Sequence, residues 1–522
     1  MLHRYYQLAP NARLVSNGQG PWIVCDYPLQ KHLLNESAFL LLDALDGKTS
    51  LRDLVGPRLE DALHYLEKLE RSGALVCRYE AEPRPKNNDA GLPIVEVIIP
   101  VLENIIGLKR CLKALGKQTY PFHLFSVTVV DDGSPLEIRE ALEHQIDCSF
   151  PIRWVRHPTN LGPASARNLG AKHLDFPQQE NCFGSDGESG LMEGGSGRRA
   201  DIFAFTDSDC LPEPEWLSQM VSVMENQEIH AVGGQVLGLH ETGWLARYEG
   251  ECSSLNMGRT PMPAGLPSGR VPYLPACNLA VREKVFFAVK GFSEGWRLGE
   301  DVDFCWRLSA GGFRLFYFPG AAVRHDHRLS FWAFFKRRAQ YATTEHDLNQ
   351  RRKKYFPNAT ISFNSLAFGS VLIAIAAWPI GLPWLIGFLG LPWIAALWRS
   401  VFYPQVSLPF YIRVVAGCRM ALAGLMLVSR LLFHRGLIVC IPVVGLWPET
   451  SVGFAGIWLL AMIGEWLVRR PRLFPGDFLL GYGLDCLAYS PGFLWGYVKT
   501  QGQRLLNRRL DDFPNGETKF EE

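Results

Sequence analysis

An alternation of apolar strands and helical segments restricts the fold of residues 92–350 more than any other feature of the chain. The apolar runs of strand length are Val95–Pro100, Ser126–Val130, Ile152–Arg156 and Ile202–Thr206. Helical segments lie between them, around Gly107–Lys117 and from Ala164 onward. Because repeated strand–helix–strand units form mainly parallel sheets with helices on both faces, the sequence predicts an α/β domain in this region.

Acidic residues directly follow two of these strands. Asp131 and Asp132 end the second run, and Asp207 and Asp209 end the fourth. Ligands of open α/β sheets collect beyond the carboxyl ends of the strands, so these carboxylates are expected at one edge. Two carboxylates on a tight turn bind a hard cation that bridges a diphosphate. A D-x-D sequence alone arises often by chance, and its position after a buried strand is what favours a metal site.

Four motifs occur in the order found in the inverting family-two glycosyltransferases of GT-A fold. They are Val129–Ser134 (VVDDGS), Gly162–Gly170 (GPASARNLG), Asp207–Asp209 (DSD) and Gly299–Arg307 (GEDVDFCWR). Residues 92–350 therefore resemble this family, and the resemblance implies a nucleotide-diphospho-sugar transferase domain. Residues 176–199 are rich in Gly, Ser, Glu and Gln and are predicted to be a flexible insertion. No Gln-x-x-Arg-Trp motif follows Glu300-Asp301, which disfavours a processive polysaccharide synthase.

The resemblance assigns most candidate site residues to the donor. The nucleotide-sugar-binding residues that it implies are Pro100, Leu102, Asp131, Asp132, Arg167, Asn168, Asp207 and Asn278. Which member of the Asp131–Asp132 pair holds the nucleobase stays open.

The same resemblance implies a site for Mn²⁺ or Mg²⁺. Asp207 and Asp209 are the implied carboxylate ligands, and a histidine completes the site. Two histidines follow the predicted strand Leu315–Phe318, and we favour His325 over His327 because a strand end directs its first residue inward.

Inverting transfer requires a base for the acceptor hydroxyl, and a positioned carboxylate suffices. The resemblance implies that Asp301 is this base and that Glu300 orients it or the acceptor. Without the resemblance, Glu300, Asp301 and Asp303 also fit a solvated first helical turn, where the helix dipole favours acidic residues. The three preceding motifs favour the catalytic interpretation.

Residues 1–82 are predicted to form a small α+β unit, joined to the next domain by the polar linker 83–91. Its predicted elements are a hairpin (Arg13–Ser16 with Trp22–Asp26), two helices (Glu36–Leu45, capped by Asn35, and Glu60–Ser72) and a strand (Ala74–Val76). This order, with the motif Leu34–Ala38 (LNESA), resembles the winged-helix-like, PqqD-like peptide-binding domains. An accessory fold without a peptide role is the alternative. We expect the unit to dock a partner or the catalytic domain instead of a leader peptide.

Residues 351–500 are predicted to be a membrane-associated helical region, followed by a polar tail at 501–522. Ile361–Trp398 contains no charged residue and is long enough for two crossings, with basic residues on both flanks. A buried globular hairpin is the alternative. We therefore expect the protein at the cell membrane, with the catalytic domain in the cytoplasm.

The remaining composition excludes other classes of function. Lys plus Arg (53) balance Asp plus Glu (52), so no basic field favours a nucleic-acid partner. The 12 cysteines include no C-x-x-C pair, which disfavours a zinc ribbon and fits reduced thiols in the cytosol. The first residues (MLHRYY) also lack the apolar core of a secretory signal peptide.

Three separate segments resemble the mycofactocin-system glycosyltransferases. They are the N-terminal unit, Tyr273–Ala276 (YLPA) and Leu484–Gly496 (LDCLAYSPGFLWG). This resemblance implies inverting transfer of glucose from UDP-glucose to (pre)mycofactocin, building a β-1,4-oligoglucoside, with other maturation proteins of the pathway as possible partners. Two alternatives stay open from the residues: a lipid or cell-wall glycan acceptor, and a non-catalytic peptide- or sugar-binding scaffold.

Overall fold

The computed structural model describes the following residues: 2–9, 12–17, 20–26, 29–59, 62–63, 65–66, 69, 74–81, 91–142, 145, 148–172, 199–266, 271–296, 298–355, 430–435, 437, 451–469 and 471–511. The chain divides into two units. The first comprises Met1–His327 and Pro404–Ala416, and the second comprises Arg328–Tyr403 and Gly417–Glu522.

The first unit begins with two small antiparallel sheets. Its N-terminal elements are β1 (Leu2–Leu8), β2 (Ala12–Asn17), β3 (Gly20–Asp26), β4 (Leu29–Leu33), α1 (Glu36–Asp43), α2 (Leu51–Val55) and β5 (Leu75–Ala81). β2, β3 and β4 form one sheet, and β1 pairs with β5 in the other. The predicted hairpin is β2–β3, and the Asn35 side chain caps α1 by accepting from the Ala38 N–H at 2.7 Å.

Other predictions for this region fare differently. The predicted strand Ala74–Val76 corresponds to β5, which is longer than expected and ends at Ala81. β1 and β4 were not predicted. Only part of the predicted helix Glu60–Ser72 is described, and those residues are helical. The linker 83–90 lies outside the described residues, and the likeness to PqqD-like domains stays a prediction.

A nine-stranded mixed sheet forms the centre of the first unit. Its strands are β6 (Val95–Val101), β7 (Phe125–Asp131), β8 (Ile152–Arg156), β9 (Ile202–Thr206), β10 (Cys210–Pro212), β11 (Ile229–Gly238), β12 (Met262–Ala264), β13 (Asn278–Arg282) and β14 (Arg314–His325). The order is β10-β14-β11-β13-β9-β6-β7-β8, and β12 pairs with β14. β9, β6, β7 and β8 run parallel, as predicted, whereas β13 is antiparallel to both its neighbours.

Helices cover the sheet. They are α3 (Ile105–Leu115), α4 (Ile138–Leu142), α5 (Pro163–Lys172), α6 (Trp216–Met224), α7 (Trp244–Cys252), α8 (Glu283–Ala288) and α9 (Glu300–Ala310). Every residue of β6 is buried, which explains why all its residues except Glu96 are apolar. Side chains of a strand alternate between faces, and Val97 and Ile99 accordingly belong to one apolar cluster while Ile98 belongs to another. The α/β fold predicted for this region is thus confirmed.

The second unit is helical. Its described elements are α10 (Phe331–Tyr355), a π-helical turn (Arg430–Arg435), α11 (Ser451–Arg469) and α12 (Pro475–Asp511). The predicted boundaries at 350 and 500 fall inside α10 and α12. α12 packs along α10 at two glycines, because a Cβ at Gly492 or Gly496 would collide with backbone atoms of Ala339 or Thr343. Beside this seam, Arg338 of α10 pairs with Asp485 of α12 at 3.4 Å.

Within the described part of the chain, none of the helices combines the length and the apolar character needed to cross a bilayer. The predicted crossings at Ile361–Trp398 lie outside the described residues, as do residues 176–198 of the predicted insertion. Both stay predictions.

Candidate active site

The predicted site residues meet because several strands end at the same edge of the sheet. Asp131 is the last residue of β7, and Asp207 follows β9 directly. β14 runs in the same direction as these strands and ends at His325, where it pairs with β10 so that Cys210 lies opposite His325. The carboxylates and the imidazole therefore share one edge, as the sequence predicted.

Asp132 shapes the loop that follows β8. Its carboxylate accepts hydrogen bonds from the N–H groups of Leu161 (3.1 Å) and Gly162 (2.8 Å) and lies 2.8 Å from Nδ1 of His157. Gly133 beside it has a φ of 79°, and a Cβ there would come within 2.5 Å of the carbonyl carbon of Thr159. The Asp-Gly sequence is thus required for the close approach of these two loops.

Asp131 differs from Asp132 in its hydrogen bonds. Its Oδ1 accepts from the Ser134 N–H at 2.9 Å. Its Oδ2 is buried without a hydrogen-bond partner, and Nη1 of Arg156 lies 3.6 Å away. A buried carboxylate oxygen in this state is able to accept a donor from a ligand.

Arg167 connects the D-x-D turn to the Gly-Glu-Asp motif. It projects from α5, is 2% exposed, and donates through Nη2 to Asp207 (2.6 Å) and through Nη1 to Glu300 (2.9 Å). Burial lowers the pKa of Arg167, but the two carboxylates outweigh burial and raise it overall. The guanidinium stays charged and holds together two motifs that are distant in the sequence, since Glu300 is 133 residues from Arg167 and Asp207 is 40 residues from it.

Asp301 lies at the start of α9, where Gly299 provides a helix cap with a φ of 82°. Its Oδ1 accepts from the Val302 N–H (2.8 Å) and its Oδ2 from the Ala276 N–H (3.3 Å). Burial, followed by the negative charge of Glu300, raises the pKa of Asp301 to about 7, against the opposing effect of Arg167. A carboxyl group with this pKa takes up and releases protons near neutral pH, as a general base must.

Asp209 and His325 lie at the opposite side of the D-x-D turn from Arg167. Nε2 of His325 is 3.6 Å from Oδ1 of Asp209, and one ligand atom each from Asp209, Cys210 and His325 lie within 4.8 Å of one another. These residues fit a divalent cation, because the carboxylate is partly exposed and the imidazole is held beside it. Asp207 is not part of this cluster, since one of its oxygens is engaged by Arg167.

The geometry also distinguishes His325 from His327. Nδ1 of His327 lies 3.7 Å from a carboxylate oxygen of Glu249, on the far side of the pair of rings, which are 4.6 Å apart. Nδ1 of His325 is buried without a hydrogen-bond partner. Of the two histidines, His325 lies in the described cluster with Asp209, and its role as a metal ligand stays a prediction.

Pro100 and Leu102 flank the end of β6. Pro100 is buried opposite Val130 of β7, beyond the last residue that pairs with β9, so its missing N–H breaks no ladder bond. Leu102 is 41% exposed at the edge that carries the acidic residues. Its position is compatible with the predicted contact to the nucleotide.

Two predicted ligands are core residues in the structure. Asn278 is 0% exposed; its Nδ2 donates to the carbonyls of Gln235 and Ala321, and its Oδ1 accepts from Trp216. Asn168 exchanges hydrogen bonds with the backbone of Phe292 (2.8 Å each) and is 5% exposed. The structure thus corrects the donor-binding assignment of Asn278. Asn168 holds the loop before α9 through its hydrogen bonds to Phe292.

Sequence reasoning missed Cys210 and Asp326. Asp326 accepts from Nη2 of Arg110 (2.5 Å), lies 3.1 Å from Nε2 of His240, and donates its backbone N–H to the carbonyl of Asp209 (2.9 Å). It therefore fixes the turn after β14 against the D-x-D turn. Adjacency to Asp209 and to His325 was the only available signal for these two residues.

Comparison with known families agrees with this site. Residues 93–343 match the family described as Glycosyltransferase like family 2. This match covers slightly less than half of the chain and includes all four motifs that indicated the resemblance.

The chain is also similar to the pre-mycofactocin glycosyltransferases, which confirms the resemblance drawn from sequence. It is 31% identical over 297 residues to the pre-mycofactocin glycosyltransferase of Mycobacterium tuberculosis, an alignment that covers 57% of this chain and 53% of that protein. Glycosyltransferase AglE of Haloferax volcanii is 30% identical over 226 residues, 43% of this chain and 64% of that protein. The chain therefore spans about half the length of the first of these curated relatives.

Among solved structures, one match is the mannosyltransferase PcManGT from Pyrobaculum calidifontis in complex with GDP-Man and Mn²⁺. It is 18% identical, covers 71% of this chain and 91% of its own, and superimposes with a TM-score of 0.37.

Proposed function

We propose that the protein is an inverting, metal-dependent glycosyltransferase that moves glucose from UDP-glucose to a mycofactocin-type acceptor and extends it as a β-1,4-linked oligoglucoside. The observation that carries the proposal is the Arg167 bridge between Asp207 and Glu300. It joins the turn that faces a donor diphosphate to the motif that holds the base. The homology to pre-mycofactocin glycosyltransferase supports the choice of acceptor.

The nucleotide binds, in this proposal, along the ends of β6 and β7. Asp131 accepts the imide N–H of uracil through Oδ2, the oxygen that has no hydrogen-bond partner among the described residues. Asp132 acts indirectly, because its carboxylate is engaged by the loop at Leu161 and Gly162. Asp207 retains an oxygen that Arg167 does not bind, and it faces the ribose and diphosphate.

Asp209 and His325 would hold the cation, and Asp207 lies outside their cluster. Mn²⁺ or Mg²⁺ at this position would neutralise the charge that develops on the departing diphosphate. Asp326 and Arg110 keep the two protein ligands in register, because Asp326 is bonded to the backbone of Asp209.

Asp301 removes the proton from the acceptor hydroxyl as its oxygen attacks the anomeric carbon. Attack from the face opposite the leaving diphosphate inverts that carbon. With a pKa of about 7, the Asp301 carboxylate is a stronger base than an ordinary carboxylate, and a large fraction of it is still ionised at neutral pH. Glu300, through Arg167, keeps the base and the donor-facing carboxylate at fixed separation.

The second unit places this activity at a membrane surface in the proposal, with the catalytic domain in the cytoplasm. Exposed apolar side chains on α11 and α12 support it, among them Leu460 (61%) and Trp495 (65%). Other maturation proteins of the pathway are the proposed partners of the N-terminal unit.

The test is transfer of labelled glucose by the purified full-length chain to premycofactocin, with Mn²⁺ or Mg²⁺ and product detection by mass spectrometry. We expect one or more hexose additions and, by NMR, a β linkage from an α-linked donor. Asp209→Ala should raise KM for the donor when the metal ion is present. The same substitution should change this KM less when no metal ion is added. Transfer to a lipid extract but not to premycofactocin would replace the acceptor, and donor hydrolysis with no transfer to either would contradict the proposal.

A further inference from the structure

The Cys210 thiol lies in the cluster of Asp209 and His325, and the proposed function gives it no role. Its Sγ is 3.9 Å from Oδ1 of Asp209, and Nε2 of His325 is 3.6 Å from the same oxygen. All three ligand atoms lie within 4.8 Å of one another. A sulfur donor is therefore present at the position proposed for a hard cation.

Backbone pairing fixes these donors. Cys210 opens β10 and is paired with His325 in the antiparallel ladder to β14. The Asp326 N–H bonds the carbonyl of Asp209 at 2.9 Å, which ties the two turns together. Cys210 is completely buried, so its side chain has little freedom to leave the cluster.

The spacing suits a tetrahedral cation with mixed ligands. Zinc bound to one thiolate, one imidazole and one carboxylate, at bonds of about 2.0–2.3 Å, places the ligand atoms about 3.3–3.6 Å apart. The His325–Asp209 separation of 3.6 Å lies at the upper end of this range, and the Cys210–Asp209 separation of 3.9 Å exceeds it by a few tenths of an ångström. Mg²⁺ prefers octahedral oxygen ligands, whereas thiolate and imidazole together favour zinc and cadmium.

We propose that Asp209, Cys210 and His325 form a site for a thiophilic divalent cation such as Zn²⁺ or Cd²⁺, which displaces Mg²⁺ or Mn²⁺ there. Binding converts the thiol to a thiolate–metal bond and releases its proton to solvent. The displacement rests on the proposed function, whereas the coordination is measured without donor or acceptor. Failure of one is thus distinguishable from failure of the other.

The test is titration of the full-length, reduced protein with Cd²⁺, followed by the ultraviolet charge-transfer absorption of the sulfur–cadmium bond. We expect a saturable band that Cys210→Ser removes, together with a fall in Zn²⁺ affinity of about tenfold or more, measured by competition with a chelating dye. Cys148→Ser is the matched control, because Cys148 precedes β8 at the other edge of the sheet; it should keep the band.

Two further measurements keep the proposal open to refutation if Cys210→Ser folds poorly. Cadmium NMR of the unmodified protein should show one ion with a single sulfur ligand. His325→Ala should weaken cadmium binding while retaining the charge-transfer band at saturation. A band of full amplitude in folded Cys210→Ser, or a cadmium shift typical of oxygen ligands only, would overturn the assignment.

Discussion

At the scale of single residues, Asp301 is the group whose replacement has the most specific expected result. Asp301→Asn keeps the size of the side chain and removes the base, so kcat should fall by about 10²–10⁴-fold while donor binding persists. In the unmodified enzyme kcat should rise with pH up to about 7, because the pKa of Asp301 lies there. Rates across pH 5–9 and donor titration measure both effects.

Asp201→Asn is the matched control for this substitution. Asp201 precedes β9 at the amino end of the strand and accepts the Ile94 N–H, so it lies away from the carboxyl edge. Its variant should keep kcat and the pH profile. An equal fall of kcat in both variants would contradict the assignment of Asp301 as the base.

The raised pKa of Asp301 also has a consequence for stability. A folded-state pKa above the unfolded value of about 3.9 means that folding opposes ionisation. The contribution of Asp301 to stability is therefore full below pH 4 and is lost as pH rises through about 7. Asp301→Asn should accordingly be more stable than the unmodified protein at pH 8, with a smaller difference at pH 5, in thermal melts.

Arg167→Lys tests whether the bridge needs a guanidinium. One planar group donates separate N–H bonds to Asp207 and Glu300, and a single ammonium cannot reproduce both directions. We expect kcat/KM to fall by about 10²-fold and the free energy of unfolding by about 1–3 kcal/mol, since one buried carboxylate loses its partner. Arg314→Lys, at an exposed pair with Glu228, should change neither quantity. An unchanged kcat/KM in Arg167→Lys would contradict the proposed role of the Arg167 bridge.

Residue positions were predictable from sequence where a motif fixed the position relative to a strand end. Asp131, Asp209 and His325 are of this kind. Asn278 was misassigned because its partners, the carbonyls of Gln235 and Ala321, are each 43 residues away in the chain. A local motif does not predict such burial, and it does not predict the pairing of Cys210 with His325.

At the scale of secondary-structure elements, the packing of α12 on α10 depends on glycine. Gly492→Ala places a Cβ against the backbone of Ala339, which cannot yield as a side-chain tip would. Overpacking of this kind costs about 1–3 kcal/mol of the free energy of unfolding. Thermal or urea denaturation of the full-length chain, followed by circular dichroism, measures the loss.

Gly464→Ala is the matched control, because a Cβ at Gly464 of α11 meets no atom of the described residues within 4 Å. There the better helix propensity of alanine should raise stability by about 0.5–1 kcal/mol. Opposite signs at the two positions are the expected result. A stabilising Gly492→Ala would mean that the two helices do not approach as closely as described.

Element prediction succeeded where periodicity is local and failed where pairing is distant. β6, β7 and β9 are mainly apolar segments of strand length, and α1 has its own cap at Asn35. β1 pairs with β5 across most of the N-terminal unit, and the short β12 pairs with β14, so neither had a recognisable neighbour in sequence. Antiparallel β13 likewise departs from the strand–helix alternation that predicted the parallel half.

At the scale of the whole molecule, the second unit presents an apolar stripe to solvent. On α11 the exposed positions are Leu459, Leu460, Ile463 and Leu467, between 37% and 61% exposed and spaced along one face of the helix. Glu465 and Ala461 on the other face are buried. Exposed apolar patches of this kind mark interaction surfaces, and a lipid interface is the proposed one here.

We therefore expect the full-length protein to sediment with phospholipid vesicles, and Leu460→Lys with Leu467→Lys to weaken that binding. Each leucine buried at the interface contributes about 1.5–3 kcal/mol, so losing two should lower partitioning by at least about tenfold. Leu136→Lys is the control, because Leu136 is 73% exposed but lies in the first unit. Unchanged sedimentation of the double variant would mean that α11 does not contact lipid, and loss in the control would mean that added charge alone acts on binding.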